Sequence, residues 1–244
     1  MSDIVGRQVV LEALRSGQEI NKIVVAKGPR QGSIREILAL AKEQGIVVQE
    51  VERTILDKLS EGANHQGVLA QIAGISYVEL DDLLAKGRDG DWAPFLVLLD
   101  GIQDPHNLGS IMRSGEAMGV DGVIIPKRRA VPVTQTVMKA SAGAANYVPV
   151  CRVGNLATTI DTLKKVGYWI VGADMEGSTC FTQDLTGPIA LVIGSEGAGL
   201  SRLVKDKCDF LSSVPMRGAI NSLNASVAAA LLMFEVVRQR SVLS

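Results

Sequence analysis

Three short stretches concentrate residue types that bind ligands or move charge. The first runs from Asp100 to Gly109 and holds Asp104, His106 and Asn107, with Arg113 and Glu116 following. Asp104 and Pro105 make a turn, and Asn107 reads as the N-cap of the next helix. Arg113, about one and two-thirds turns further on, is then able to reach back toward a ligand at the helix start. The second stretch, 194–199, is glycine-rich around Ser195 and Glu196. It lacks the Lys-Ser/Thr pair of a P-loop, and Glu196 repels phosphate. Its glycines suit close backbone approach to an uncharged part of a ligand. The third, 214–224, ends in Ser222 and Asn224 before an alanine-rich segment, and one of the two caps the final helix.

Other chemistries find little support. His65 and His106 are the only histidines and lie far apart, with no Cys or carboxylate spacing for a metal. No Ser-His-Asp set is visible. Cys151, Cys180 and Cys208 are odd in number and widely spaced, which points to a reducing cytoplasm rather than a disulfide framework. No spaced-glycine dinucleotide fingerprint is present, which counts against a nucleotide-dependent oxidoreductase.

The elements that must carry these stretches follow from apolar patterning. Residues 1–76 read as a small α/β unit. A helix is expected around Val9 to Leu14 and another from Ile34 to Gln44, where apolar residues recur at helical spacing. Strands are expected at Ile23 to Ala26, Ile46 to Val48 and Gly67 to Ile72. Residues 77–92 are acidic and read as a linker with a helical piece from Leu80 to Ala85. From residue 93 the apolar runs are continuous, as in parallel strands covered on both faces: Phe95 to Leu99, Gly122 to Pro126, Trp169 to Gly172, Ile189 to Ile193. Helices are expected at Leu108 to Met118, Val133 to Ala144, Leu156 to Val166 and Asn224 to Arg238. This is a parallel α/β sheet, and all three polar stretches follow its strands, where open sheets bind ligands.

Composition agrees with a folded, water-soluble chain. Of 244 residues, 47% are hydrophobic and 21% charged, which excludes wholesale disorder. No apolar run approaches the ~20 residues of a membrane helix, and the start lacks a signal-peptide pattern. Aromatics are only 4%, against a base-stacking platform. The net charge of −1 is not that of a bulk nucleic-acid binder, so any such contact rests on local patches. Arg7, Lys27 and Arg30 in the first unit, and Lys127, Arg128 and Arg129 in the second, are the candidates.

Taken in order, Asn107 with Gly109 and Arg113, then Gly194 to Gly197, then Ser222 to Asn224 resemble motifs 1, 2 and 3 of the SpoU (TrmH) RNA ribose 2′-O-methyltransferases. Residues 1–76, ending in Asn64 to Gly67, resemble that family's substrate-binding domain, related to L30e-type RNA binders. The two-domain layout looks most like the RlmB group, which methylates a 23S rRNA guanosine; tRNA enzymes share the layout. The resemblance implies a catalytic domain over 93–244 with a C-terminal trefoil knot, a homodimer, and S-adenosylmethionine as cofactor. It implies cofactor contacts at Val171, Gly172, Ala173, Gly194, Val214, Met216 and Leu223. It implies a catalytic set of Asn107, Arg113, Glu196, Ser222 and Asn224, all present here, and no metal. The family's usual assignment makes the motif 1 arginine the base; a phosphate- or alkoxide-binding role is physically easier for a guanidinium. A non-catalytic RNA-binding or ribosome-assembly factor on the same fold is the contrasting expectation.

Overall fold

The computed structural model describes residues 3–28, 32–60, 62–86, 92–218 and 222–241. The chain separates into two compact units, Met1–Ser76 with Val133–Gln135, and Tyr77–Pro132 with Thr136–Ser244.

The first unit runs β1 (Asp3–Val5), α1 (Arg7–Arg15), β2 (Ile20–Ala26), α2 (Ser33–Glu43), β3 (Val47–Val51), α3 (Arg53–Leu59) and β4 (Val68–Ile72). Its four strands lie in the order β1-β4-β2-β3, and only β2 and β3 are parallel. Strand alternation splits the core in two. Ile23, Val25, Val68 and Ala70 face Val10, Leu14, Ile34 and Ile37 of α1 and α2. Val24 and Leu69 face the other way, toward Leu56 of α3. The sequence patterning anticipates neither β1 nor α3. One is three residues long; the other leaves Ile55 and Leu59 exposed and buries only Leu56, so it carries no apolar stripe.

The second unit begins earlier than expected. Residues 77–86, read as linker, are partly built into it. Val78 bridges to Cys151, and Leu83 and Leu84 of α4 (Leu80–Lys86) are buried against Leu96 and Ile124. The apolar residues among the acidic ones decide this placement. There follow β5 (Phe95–Asp100), α5 (Pro105–Ala117), β6 (Gly122–Pro126), α6 (Gln135–Ala140), a 3-10 turn at Ala144–Asn146, β7 (Val150–Val153), α7 (Leu156–Lys165), β8 (Trp169–Thr179), a second 3-10 turn at Cys180–Thr182, β9 (Ile189–Gly194), α8 (Arg202–Lys205), β10 (Phe210–Ser213) and α9 (Ala225–Ser241). The helix expected over Val133 to Ala144 is therefore shorter and closes in a separate 3-10 turn, with Ala142 and Gly143 at positive φ between them.

Six strands form one sheet in the order β10-β8-β9-β5-β6-β7, every pair parallel. Phe95 to Leu99 are all buried, as a continuous apolar run predicts. One face carries Leu96, Leu98, Ile124, Ile170 and Val192 against Leu156, Ile160 and Leu163 of α7. On the opposite side α5 and α9 pack against each other. The strand order reverses between β5 and β9: β6 and β7 extend one way, β8 and β10 the other. Asp100 and Gly194 are paired at the carboxyl ends of β5 and β9, so the crevice expected at such a switch point lies there.

Asn107 is not the N-cap of α5. Asp104 is: its Oδ1 accepts from the His106 amide at 2.9 Å, and Pro105 takes the first helical position. An acidic cap followed by proline is the stronger start signal, and it moves the helix three residues upstream. Asn107 falls inside the first turn, on the buried face beside Leu108 and Ile111.

Candidate active site at the carboxyl edge of the sheet

Burying Asn107 gives its amide a role that a cap lacks. Its Nδ2 donates to Oε1 of Glu196 at 3.1 Å. Its Oδ1 accepts from Nδ2 of Asn224 at 3.0 Å. Asn224 Nδ2 also donates to Glu196 Oε1. One residue from each of the three polar stretches thus closes a triangle at the switch point. Asn224 is further fixed through Oδ1, which accepts from the Ser226 amide at 2.9 Å, the Ser226 hydroxyl at 2.6 Å and the Val227 amide at 3.3 Å. It is the cap of α9, so capping falls to Asn224 and not Ser222. Ser222 is exposed and, among the described residues, makes no hydrogen bond.

The glycine-rich stretch is shaped by its own backbone. Ser195 and Gly199 exchange amide–carbonyl bonds of 3.0 and 2.9 Å around a turn in which Gly197 and Gly199 have positive φ. A Cβ at Gly194 would lie 2.2 Å from the Gly199 carbonyl carbon. The close approach expected for a ligand is made here by the loop itself. Asp100 Oδ2 accepts from the Ser201 amide at 2.7 Å and ties the far end of the turn to β5. Glu196 is held exposed above it.

Arg113 stands apart from this cluster. It lies six residues, and so about 9 Å of helix axis, beyond Asn107 and on a different face of α5. It is exposed and, among the described residues, has no hydrogen-bond or ion-pair partner. His106 and Ser110 share its exposed side at helical spacing.

The expected cofactor contacts divide between strand interior and loops. Val171 and Gly172 lie within the ladders of β8, between Phe210 and Leu211 of β10 and Leu191 and Val192 of β9. The space beside Gly172 is filled by Leu200, Cys208 and Leu211. Ala173 is the first residue beyond the β9 ladder. From there to Gly177 the strand also leaves β10, which resumes pairing at Ser178. Gly194 ends β9, Val214 follows β10 half-buried, and Met216 and Leu223 are 37% and 39% exposed.

The basic candidates differ in the same way. Arg7 donates from Nε to the Gln66 carbonyl at 2.9 Å, and Lys27 pairs with Glu52 at 2.8 Å. The hydrogen bond to Glu52 holds the Lys27 ammonium above the usual lysine range. Arg30 lies outside the described residues. Lys127, Arg128 and Arg129 follow β6 at the carboxyl edge. Of the histidines, His65 is buried: its Nδ1 accepts from the Gly67 amide at 2.9 Å and its Nε2 faces Asp57 Oδ1 at 2.8 Å, which shapes the turn before β4. His106 is exposed. Among the described residues no group of three His, Cys, Asp or Glu is placed to hold a metal ion. Burial pushes the Cys151 thiol up to about 11 and the Cys208 thiol to about 12, which leaves both protonated and unreactive near neutrality.

Known proteins share this architecture. Residues 94–234 match the SpoU rRNA methylase family, and residues 4–78 match the substrate-binding domain of RNA 2′-O ribose methyltransferases. A TrmH family tRNA/rRNA methyltransferase of Staphylococcus haemolyticus is 55% identical over 239 residues, spanning 97% of this chain and 95% of its own. The SpoU methyltransferase AviRb of Streptomyces viridochromogenes, solved with its cofactor AdoMet, superposes with a TM-score of 0.62 at 26% identity, over 98% of this chain and 90% of its own. An AdoMet-bound rRNA methyltransferase of Sinorhizobium meliloti gives a TM-score of 0.62 at 27% identity, over 97% and 86%.

Proposed function

This chain belongs to the SpoU family of RNA methyltransferases, and on that premise we propose that it methylates a ribose 2′-hydroxyl of RNA, most specifically a guanosine of 23S rRNA. The observation that carries the reading is the Asn107–Glu196–Asn224 triangle, because it joins the three loops at the switch point into one rigid constellation. An RNA target is supported by the substrate-binding match over 4–78, and rRNA by the SpoU rRNA methylase match over 94–234 and the likeness to the Sinorhizobium rRNA enzyme.

The cofactor is S-adenosylmethionine, which when bound supplies a methyl group on a sulfonium centre with its own good leaving group. The carboxyl-edge residues fit such a molecule. Met216 and Leu223 offer exposed apolar surface there, and backbone is freed from the β9 ladder beyond Gly172. Ala173, Gly194, Val214, Met216 and Leu223 are the residues we assign to holding it, with Val171 and Gly172 supporting them from the sheet.

The protein's own task is positioning and charge management. A methyl acceptor must sit about 3–3.5 Å from the carbon it attacks. Asn107 and Asn224 fix the loops that set this distance. Glu196 Oε1 is occupied by two amide donors, which supports a bracing role for this residue. Arg113 carries an unspent guanidinium. It binds the phosphate beside the ribose and stabilises the negative charge that develops on the 2′ oxygen. A guanidinium keeps its proton in proteins, so as the O–C bond forms and the S–C bond breaks the hydroxyl proton passes to solvent water or to the neighbouring RNA phosphate, and not to Arg113. Ser222, exposed beside the cap of α9, orients the ribose.

We assign the knot to residues 93–244. Its support is the match of residues 94–234 to the SpoU family, whose catalytic domain the sequence motifs resemble. Homodimerisation is supported by α9. Its buried side holds Leu232, Met233 and Val236, yet Val227, Leu231 and Phe234 are 46%, 43% and 52% exposed on another face. A helix apolar on two faces asks for a second partner. Among the described residues no helix is long and apolar enough to cross a membrane, and the cytoplasm is the setting we assign.

The test is methyl transfer from S-adenosylmethionine to rRNA fragments, precursor particles and tRNA, with products mapped by resistance to alkaline cleavage. Cleavage uses the 2′-hydroxyl as nucleophile, so a methylated position is skipped. The expected result is one new protected site in 23S rRNA. Protection only in tRNA replaces the target but keeps the chemistry; cofactor binding without protection of any RNA, or no cofactor binding at all, refutes the enzymatic reading.

A further inference from the structure

Two cations near the carboxyl edge of the six-stranded sheet are spoken for. Lys205 bridges Asp174 and Glu176 at 2.7 and 3.0 Å, and Arg152 lies 5.0 Å over the Tyr77 ring. The segment after β6 breaks this pattern. Lys127, Arg128 and Arg129 are consecutive, Arg128 and Arg129 are exposed, and among the described residues none of the three side chains has a hydrogen-bond or ion-pair partner.

The segment is nonetheless held firmly. At its start the Lys127 amide donates to the Val153 carbonyl at 2.8 Å, and the Lys127 carbonyl accepts from Arg152 Nη2 at 3.4 Å. At its end the Val131 amide donates to the carbonyl of Ile102 at 2.9 Å. Ile102 is buried in the loop between β5 and α5, two residues before the cap of the helix that carries Asn107 and Arg113. Between these anchors Arg129 has φ +59°. A left-handed backbone at a long, charged residue is costly and persists only where its surroundings enforce it. Two unpaired guanidiniums are thus displayed on a fixed loop whose far end is bonded to the candidate active-site loop.

We propose that Lys127 to Val131 is a phosphate-docking site that grips the RNA backbone beside the ribose being methylated. The inference rests on the reading of RNA as substrate and adds where the backbone is held. Guanidinium groups match phosphate oxygens in a two-pronged geometry, and rigid presentation lowers the entropy cost of using them. The bond from Val131 to Ile102 fixes the distance between this grip and Arg113, so the loop sets which nucleotide reaches the cofactor.

The experiment measures binding of a fluorescein-labelled RNA hairpin to the full-length protein across a salt series. The variants are Arg128→Ala with Arg129→Gly, Arg128→Lys with Arg129→Lys, and Lys165→Ala as an exposed lysine at the end of α7, beside the amino end of β8. Glycine adopts φ +59° without strain, so the first variant removes charge and keeps the loop. Binding of S-adenosylmethionine by calorimetry checks that the fold is intact. The expected result is about tenfold or greater loss of RNA affinity, and a salt slope shallower by about 1.5, the loss of roughly two phosphate contacts. Cofactor affinity stays at the wild-type value, the lysine pair restores the slope with weaker affinity, and Lys165→Ala matches wild type. Wild-type RNA affinity and slope in the Ala/Gly variant overturn the docking site alone. Failure of the unaltered protein to bind or methylate RNA overturns the substrate reading, and this inference with it.

Discussion

Two groups of polar side chains meet the same edge of the six-stranded sheet, wired in opposite ways. In the Asn107–Glu196–Asn224 triangle both asparagine amides and one Glu196 oxygen are bonded inside the protein. Arg113, Arg128 and Arg129 use none of theirs on it. The first arrangement resists change and holds three loops in register. The second engages without breaking an internal bond before a phosphate arrives. The contrast matches the proposed division between residues that build the site and residues that meet the substrate, and it does so without reference to which types are more polar.

The sharpest way to break this division is Arg113→Ala. With no partner to lose, folding stability should change by less than about 0.5 kcal/mol. The methyl-transfer rate at saturating RNA should fall by about 10²–10³-fold, as when a charge-stabilising group is removed from a transition state. Single-turnover transfer and a melting curve on the same sample check both. A large drop in melting temperature would return Arg113 to the builders.

Gly194→Ala should give the largest stability effect. The new Cβ meets backbone at 2.2 Å, and backbone cannot rotate aside as a side chain can. Loss of about 3 kcal/mol is expected, read by urea unfolding. Asn224→Ala comes next, at about 1–2 kcal/mol, because it removes the cap of α9 and leaves Asn107 Oδ1 without its donor. Its rate should fall as well, which Arg128→Ala at saturating RNA should not mimic.

The finest test is Glu196→Gln. A glutamine oxygen still accepts from both asparagine amides, with weaker neutral bonds. A brace predicts about a fivefold slower rate, near 1 kcal/mol. A general base predicts loss of about 10²–10⁴-fold. A pH–rate profile in the variant separates the two, since removal of a base also removes its limb.

The architecture was largely legible in the sequence where elements are long or fully buried. Phe95 to Leu99 and Ile189 to Ile193 read as central parallel strands, and Ile34, Ile37 and Ala41 as one helix face. Short edge strands were not legible: β7 is interrupted by Arg152, and β10 carries two serines in four residues. That the polar loops gather at the carboxyl edge followed from their places after apolar runs, but the wiring among them did not. Asn107 and Asn224 are 117 positions apart, and nothing in local spacing says that their amides touch. Local rules suggested a cap for each; the competing cap at Asp104 freed Asn107 for the longer-range bond. The basic loop was visible as charge alone. Its significance depends on the missing partners and on the Val131–Ile102 bond, which only a folded chain displays.

The bond between Asn224 and the two earlier loops also acts in time. Asn107 and Glu196 leave the ribosome well before Asn224 and the helix it caps. Contacts across 117 and 28 positions close late, after the local helices have formed. A nascent chain that stops short of α9 therefore has its first two loops without the residue that clasps them. The triangle is complete only once Asn224 and α9 have emerged, so copies truncated before them lack it.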